Sequence, residues 1–332
     1  MPEATAGVAT VISYRQAVNE ALHRALSEFP EAIVFGEDVA IPGGVFGVTK
    51  GLRDAFGPRV FDTPISETAM LGAAVGAALQ RSRPIVEIMW ADFLFVALDQ
   101  LVNQASTVRY LSRGRSSVPM TIRTQQGAFA ASSAHHSRCV ESILAHIPGL
   151  RIGLPSTPED AYQMTLTAIA DDDPVIVIEN RSLYQTQGEV SLGAEIRPIG
   201  GASIRRSGQH VTIVALSSMV DRALDAAEQL AAEGISAEVI DPRWISPFDD
   251  ATIFASVERT GRLIVVHEAV RTAGFGAEIV SRVAEHAFWA LDAPVRRITS
   301  PDIPKPSAPT LERATLPSAE AIVAAARNLV EV

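Results

Sequence analysis

The sequence predicts an α/β protein of two domains, each built on a parallel or mixed β-sheet covered by helices. Three observations carry this expectation. Short apolar runs of strand length alternate with stretches of helical periodicity, the pattern of parallel sheets covered on both faces. The alternation breaks across residues 185–201, which are richer in glycine and polar residues, and starts again at Val211. The 332 residues, 47% of them apolar, are enough chain for two cores.

Each element has its own signal. Ser13 followed by Gln16 reads as a capping box, and Val18, Leu22, Ala25, Leu26 and Phe29 then share one helical face. An apolar run at residues 32–35 reads as a buried strand leaving through Gly36-Glu37-Asp38, and residues 41–51 are a glycine-rich loop. Strands follow at residues 84–89, 120–123, 151–154 and 175–178, with helices at 66–79, 95–111 and 157–170 between them. Thr157, with Pro158 next and Asp160 after it, is a helix start. Residues 185–201 are read as the interdomain linker, which sets the expected domains at 1–192 and 193–332. In the second, strands at 211–216, 237–240 and 263–267 alternate with helices at 220–233, 249–258 and 274–288. The tail carries Pro301, Pro304, Pro306 and Pro309, and is expected to run extended over a surface.

Composition excludes several function classes. A net charge of −10 argues against nucleic-acid binding. The longest strongly apolar stretch, residues 70–79, is about half of what crosses a bilayer. Residues 1–10 lack a basic segment followed by an apolar one, so no secretory signal is expected. A single cysteine, Cys139, permits no internal disulfide and fits a reducing compartment. The expected location is the cytoplasm.

In open parallel sheets, ligands bind beyond the carboxyl ends of the strands, and three segments fall there. In the first, Ser66 is the candidate N-cap of a nearly all-apolar helix, which puts Glu67 in its first turn. An acid there complements the helix dipole. A helix apolar on all sides should also be buried, and a carboxylate at its end then needs a proton or a donor. Burial without a nearby cation raises such a pKa, which suits proton exchange with a ligand nitrogen. The second segment, residues 87–95, holds Asp92 and the aromatics Trp90 and Phe93, whose rings serve either an ordinary core or stacking on a planar ligand. The third, residues 127–138, is a loop of small residues ending in His135-His136-Ser137. Neighbouring histidines point apart and make a poor metal pair, so one is read as an acid, base or anion donor and the other as structural. Walker, Rossmann and nucleophile-elbow fingerprints are absent, as is the Gly-Asp-Gly segment with a following Asn pair that grips magnesium and diphosphate in thiamine enzymes.

Read together, Gly36-Glu37-Asp38-Val39, Gly43-Gly44-Val45-Phe46, Arg59-Val60-Phe61-Asp62-Thr63-Pro64-Ile65, Asp99-Gln100, His136-Ser137, Pro148-Gly149-Leu150, Glu238-Val239-Ile240-Asp241 and Gly274-Phe275-Gly276-Ala277-Glu278 resemble a known family over almost the whole chain. It comprises the β subunits of the thiamine-diphosphate-dependent decarboxylase components of pyruvate, branched-chain and acetoin dehydrogenases. The resemblance implies a transketolase-like fold, with a pyrimidine-binding domain followed by a transketolase-type carboxy-terminal domain. It implies that Glu67 bonds and protonates the cofactor's aminopyrimidine ring, that Phe93 packs on that ring, and that Met89 borders it where branched-chain relatives often carry Gln. His136 matches the family's active-site histidine, which serves acyl transfer to a lipoyl arm. Some relatives hold a structural potassium ion, and by position Met120, Ala168, Ile169, Asp171 and Asp173 would supply its oxygens here. The diphosphate end and its magnesium ion would be held by an α subunit, giving an α2β2 heterotetramer that serves a lipoyl-bearing dihydrolipoamide acyltransferase core. His135 stands where relatives have Gln, and residues 125–133 depart from their Gly-Pro-x-Gly pattern, so pyruvate-type and acetoin-type substrates both stay open. Two alternatives are a split transketolase or deoxyxylulose-phosphate synthase half, and a non-catalytic scaffold subunit.

Overall fold

The computed structural model describes residues 7–331. The expectation about a secretory segment therefore falls in large part outside the described residues. These divide into two compact units. The first holds the described residues up to Gln126 together with Ile143–Ile199, and the second joins Gly127–Ser142 to the described residues from Gly200 onwards.

In the first unit, β1 (Val8–Ser13) runs into α1 (Tyr14–Glu28), and the strands β2 (Ala32–Gly36), β3 (Val60–Asp62), β4 (Arg83–Ile88), β5 (Thr121–Gln126), β6 (Arg151–Gly153) and β7 (Val175–Asn180) follow. These last six lie in the order β6-β7-β5-β4-β2-β3 with all neighbours parallel. The capping box forms as its residues predict. Ser13 Oγ accepts from the Gln16 amide at 3.3 Å, while Gln16 Oε1 accepts from the Ser13 amide at 2.9 Å. Val18, Leu22, Ala25 and Leu26 then bury one face of α1 against a core that includes Val34, Ile85, Tyr162 and Leu166. A short helix α2 (Leu52–Phe56) follows the glycine-rich loop, and α3 (Glu67–Leu79) leads into β4.

Three expectations need correction here. The segment expected as one helix over 95–111 is a 3₁₀ stretch (Ala91–Ala97), a π-helical stretch (Gln100–Ala105) and a one-turn helix α4 (Val108–Leu111). Part of the supposed linker is a strand, β8 (Gln187–Leu192), paired antiparallel with β1 from Val8↔Leu192 to Ser13↔Gln187. The helix expected to be buried on all sides is not. Met70, Leu71, Ala74, Val75 and Ala78 of α3 are buried, while Thr68, Ala69, Ala73, Gly76 and Leu79 are exposed or half-buried. A helix of small apolar residues can line a core with either face, and this chain supplies packing for only one.

After β5 the chain makes the excursion 127–142 and returns through α5 (Glu141–Ala145). Before β7 comes α6 (Pro158–Ala170), where the Thr157 hydroxyl accepts from the Asp160 amide and Pro158 takes the first turn, as the sequence indicates.

The second unit contains β9 (Ser203–Arg206), β10 (Val211–Ala215), α7 (Met219–Ala232), β11 (Ala237–Asp241), the short β12 (Trp244–Ser246), α8 (Asp250–Thr260), β13 (Leu263–Val270), α9 (Phe275–His286) and β14 (Arg296–Ser300). Its sheet has the order β14-β13-β10-β11-β9, parallel except for β9, which runs antiparallel to β11. The tail is extended only as far as Pro306. It then forms α10 (Pro309–Ala314) and α11 (Ala319–Val330), and Ile322, Val323, Ala326 and Leu329 of α11 enter the core of this unit. Pro309 starts a helix rather than preventing one, because its missing N–H lies in the first turn.

Candidate active site

The carboxyl ends of β3, β2, β4, β5 and β7 stand side by side in the first unit, and acidic side chains collect there. Glu67 is the first residue of α3, half-buried and without an ion pair among the described residues. Ser66 occupies the N-cap position, but its side chain makes no capping bond. Glu37 leaves β2. Burial raises its carboxyl pKa, and the charges of Glu67, Asp38 and Glu87 raise it further. In the sequence Glu37 stands out only as part of a motif. Its nearness to Glu67 depends on β2 and β3 lying adjacent, with Gly36 opposite Asp62. Asp62 has a structural role, since its carboxylate accepts from the amides of Ala40 (2.7 Å) and Ile41 (3.2 Å) and fixes the entry to the glycine-rich loop.

Beneath these acids lies a buried ion network that the sequence did not reveal. Arg123 of β5 sits directly across from Glu87 of β4. Its Nη1 donates to Glu87 at 2.7 Å and its Nε to Glu179 of β7 at 2.8 Å. Glu179 also accepts from the Tyr184 hydroxyl at 2.5 Å. Arg123, Glu87, Glu179 and Tyr184 are 1%, 4%, 0% and 0% exposed, so every charge in the group depends on its partners. Burial works against the Arg123 cation, but Glu179 and Glu87 outweigh it and its pKa rises. Burial and the neighbouring Glu179 push the Tyr184 phenol well above its ordinary value, so it remains a donor.

Met89 and Phe93 are both half-buried just past β4. Between them Trp90 adopts φ 73°, a left-handed conformation unusual for a large side chain. Its amide donates to Gln125 Oε1 at 3.4 Å and its ring meets Phe46 edge-on with centroids 5.6 Å apart. Thr68 Oγ1 donates to the Val96 carbonyl at 2.7 Å, joining the start of α3 to the 3₁₀ stretch that carries Phe93. Glu67 follows β3, and Met89 and Phe93 follow β4, so all three lie just past carboxyl ends of the same sheet. His136 lies in the excursion 127–142, which belongs to the second unit; it is half-buried, and His135 is exposed.

The residues matched to potassium lie far down the first sheet. Arg83 Nη1 donates to the carbonyls of Ile169 (3.0 Å) and Asp171 (2.9 Å), and the Met120 carbonyl accepts from the Val175 amide at 3.0 Å. Ala168 is buried in α6. Asp173 pairs with Arg109 and with Arg151 at 2.9 Å, and Arg151 also reaches Asp171 at 3.4 Å. Among the described residues, no group of three or more His, Cys, Asp or Glu side chains is arranged to hold a metal ion. No helix of the described residues is long and apolar enough to cross a membrane.

A parallel sheet with acids and aromatics at its carboxyl edge, followed by a second mixed-sheet unit, is the layout expected of a transketolase-type pair of domains. Family models agree: the pyrimidine-binding domain of transketolase matches residues 10–187, and the transketolase C-terminal domain matches residues 200–322. The chain is 44% identical to the acetoin:2,6-dichlorophenolindophenol oxidoreductase subunit beta of Cupriavidus necator, over 97% of this chain and 98% of that protein. It is 44% identical to the pyruvate dehydrogenase E1 component subunit beta-2, mitochondrial, of Oryza sativa subsp. japonica, over 98% and 88%. The 2-oxoisovalerate dehydrogenase subunit beta of Bacillus subtilis matches at 38%, over 97% and 99%. A solved split-gene transketolase, described as an inactive beta4 tetramer, superposes with a TM-score of 0.78 at 23% identity, covering 96% of this chain and 98% of that one, a likeness of fold. The chain belongs to the family of β subunits of thiamine-diphosphate-dependent 2-oxo acid and acetoin dehydrogenases.

Proposed function

We propose that this chain is the β half of a pyruvate- or acetoin-type dehydrogenase, active only when an α subunit completes its site as an α2β2 heterotetramer. The observation that carries the reading is Glu67, a carboxylate without an ion pair among the described residues, at the end of a helix whose outer face is open. Bound there, thiamine diphosphate supplies the carbanion chemistry that cleaves a 2-oxo acid or acetoin. Glu67 holds and donates a proton to a nitrogen of the aminopyrimidine. Glu37 shares this acidic corner, its carboxyl pKa raised by burial and by the charges of Glu67, Asp38 and Glu87. Met89 and Phe93 give the ring an apolar wall and exclude water.

His136 serves acyl transfer to the lipoyl group of a dihydrolipoamide acyltransferase core. The α subunit supplies the diphosphate and magnesium contacts for which this sequence has no motif. A potassium ion at Met120, Ala168, Ile169, Asp171 and Asp173 would share the Ile169 and Asp171 carbonyls with Arg83, using the second lone pair of each oxygen. The domain boundary is taken at 192/193, and the working location is the cytoplasm.

The test is co-expression with an α-type partner and turnover assays with pyruvate, branched 2-oxo acids and acetoin, using wild-type protein and Glu67→Gln. The reading expects turnover of one of these substrates that depends on Glu67. Full activity of the variant, or decarboxylation by the chain purified alone, overturns it.

A further inference from the structure

The excursion 127–142 is bonded at several places to buried side chains of the second unit. Its backbone is strained: Ala130, Ala131 and Ser133 have φ of 51°, 60° and 67°, and Gly127 has φ of 90°. Three non-glycine residues in the left-handed region within four positions persist only where the surroundings over-determine them. Ser132 and Ser137 hydroxyls donate to carbonyls three and four residues back, at Phe129 and Ser133.

The external anchors are two acids, Glu268 and Glu312, and one histidine, His267. Glu268, 5% exposed, accepts from the Ala128 amide through Oε1 and from the Ser218 hydroxyl through Oε2 at 3.0 Å. Glu312 of α10, 6% exposed, accepts from the Ala131 amide at 3.1 Å. Glu141, at the far end of the excursion, meets His267 Nε2 at 2.5 Å, with both side chains buried.

Neighbouring residues of a regular strand point to opposite faces. Here His267 and Glu268, consecutive in β13, both engage the same segment. The sheet register explains it: His267 pairs with Thr299 and Val270 with Ser300, so a bulge falls between them. The bulge is itself fixed by the Ser300 hydroxyl, which donates to the Glu268 carbonyl at 2.6 Å while Lys305 donates to Ser300 at 2.6 Å. A buried carboxylate bonded to backbone amides gives charge-assisted bonds about twice as strong as neutral ones, which suits holding a strained turn.

We propose that Glu268, Glu312 and the Glu141–His267 pair are positioning residues: they clamp the strained segment at three places and thereby set the His136 imidazole for acyl transfer. The functional half of this inference rests on the assignment of His136 to that step; the structural half does not.

The test uses the co-expressed enzyme carrying Glu268→Ala, Glu268→Gln, Glu312→Ala or His136→Ala. Hydrogen exchange of amides 128–138 is measured beside two rates, acylation of a free lipoyl domain and reduction of an artificial electron acceptor. Glu268→Ala and Glu312→Ala should speed exchange of these amides about tenfold or more. They should also slow lipoyl acylation by about tenfold to a hundredfold, the cost of misplacing a catalytic group by roughly an ångström, and spare the artificial-acceptor rate. Glu268→Gln keeps an acceptor for the Ala128 amide and should restore most of both properties. Unchanged exchange in both alanine variants overturns the clamp, whatever His136 does. Faster exchange with undiminished acylation overturns the positioning role. A His136→Ala variant with wild-type acylation instead overturns the assignment of His136, and the exchange data still decide the clamp.

Discussion

Replacing Arg123 by Ala should destabilise the first unit more than any other single loss of a polar side chain in it. Arg123 carries the positive charge of a network with two buried carboxylates, Glu87 and Glu179, at 2.7 Å and 2.8 Å. Truncation leaves two acids next to each other with Tyr184 as a donor to one of them. Breaking a buried ion pair from one side costs about 3–5 kcal/mol, because the stranded charge must be neutralised or hydrated. At about 2–4 °C per kcal/mol for a unit of this size, the first thermal transition should fall by roughly 6–20 °C. Differential scanning calorimetry of the purified chain reads this directly. Arg123→Lys should recover only part of the loss, since an ammonium group cannot reach both acids as the guanidinium fork does. A drop of less than about 1 kcal/mol for Arg123→Ala would show that water or a proton already satisfies these acids, and would refute the charge argument.

Two smaller perturbations have defined outcomes. Burial disfavours the Asp173 carboxylate, but Arg109 and Arg151 outweigh it and lower its pKa below the ordinary 3.8. A lowered folded pKa gives stability that is complete above the unfolded value and disappears as pH falls through the folded one. Asp173→Asn should therefore cost about 0.5–1 kcal/mol near neutrality, allowing for solvent screening of the half-exposed arginines. That difference should shrink below about pH 4, and a cost that persists there contradicts the ion-pair account. Gly149 has φ of 93°, and an added Cβ would stand 2.3 Å from the Ser106 carbonyl oxygen at the end of the π-helical stretch. Gly149→Ala should cost at least about 1–3 kcal/mol of stability, and an unchanged urea midpoint would mean that the turn relaxes.

What was legible in the sequence was local. The α1 cap uses residues three apart, and Thr157-Pro158 starts α6 by the same short-range chemistry. The apolar runs of β2, β4 and β7 stand out because both faces of those strands are covered. β1 and β8 are harder to see: Val8 and Val11 are 72% and 65% exposed, and each strand is defined by a partner about the whole unit away in sequence. β3 is three residues long, too short for a periodic signal. The π-helical stretch shares its apolar spacing with an ordinary helix; it packs beside α3, where Gly72 leaves room for Gln100.

The candidate site divides in the same way. Glu67 is readable because a helix start and a polar residue in an apolar run coincide. Arg123 reads as an ordinary strand residue until Glu87 and Glu179 are brought to either side of it by sheet order. The anchoring of residues 127–142 to β13 and α10 joins positions about 130 to 180 residues apart, which no local pattern encodes.

The most direct measurement on the central claim compares wild-type and Glu67→Gln enzymes, each assembled with the α partner. Thiamine diphosphate affinity and kcat are both measured, on whichever of pyruvate or acetoin supports turnover. If Glu67 exchanges a proton with the cofactor ring, the variant should bind the cofactor within about tenfold of wild type, the equivalent of one hydrogen bond. Its kcat should fall by at least about a hundredfold. A variant that keeps its kcat would contradict the account.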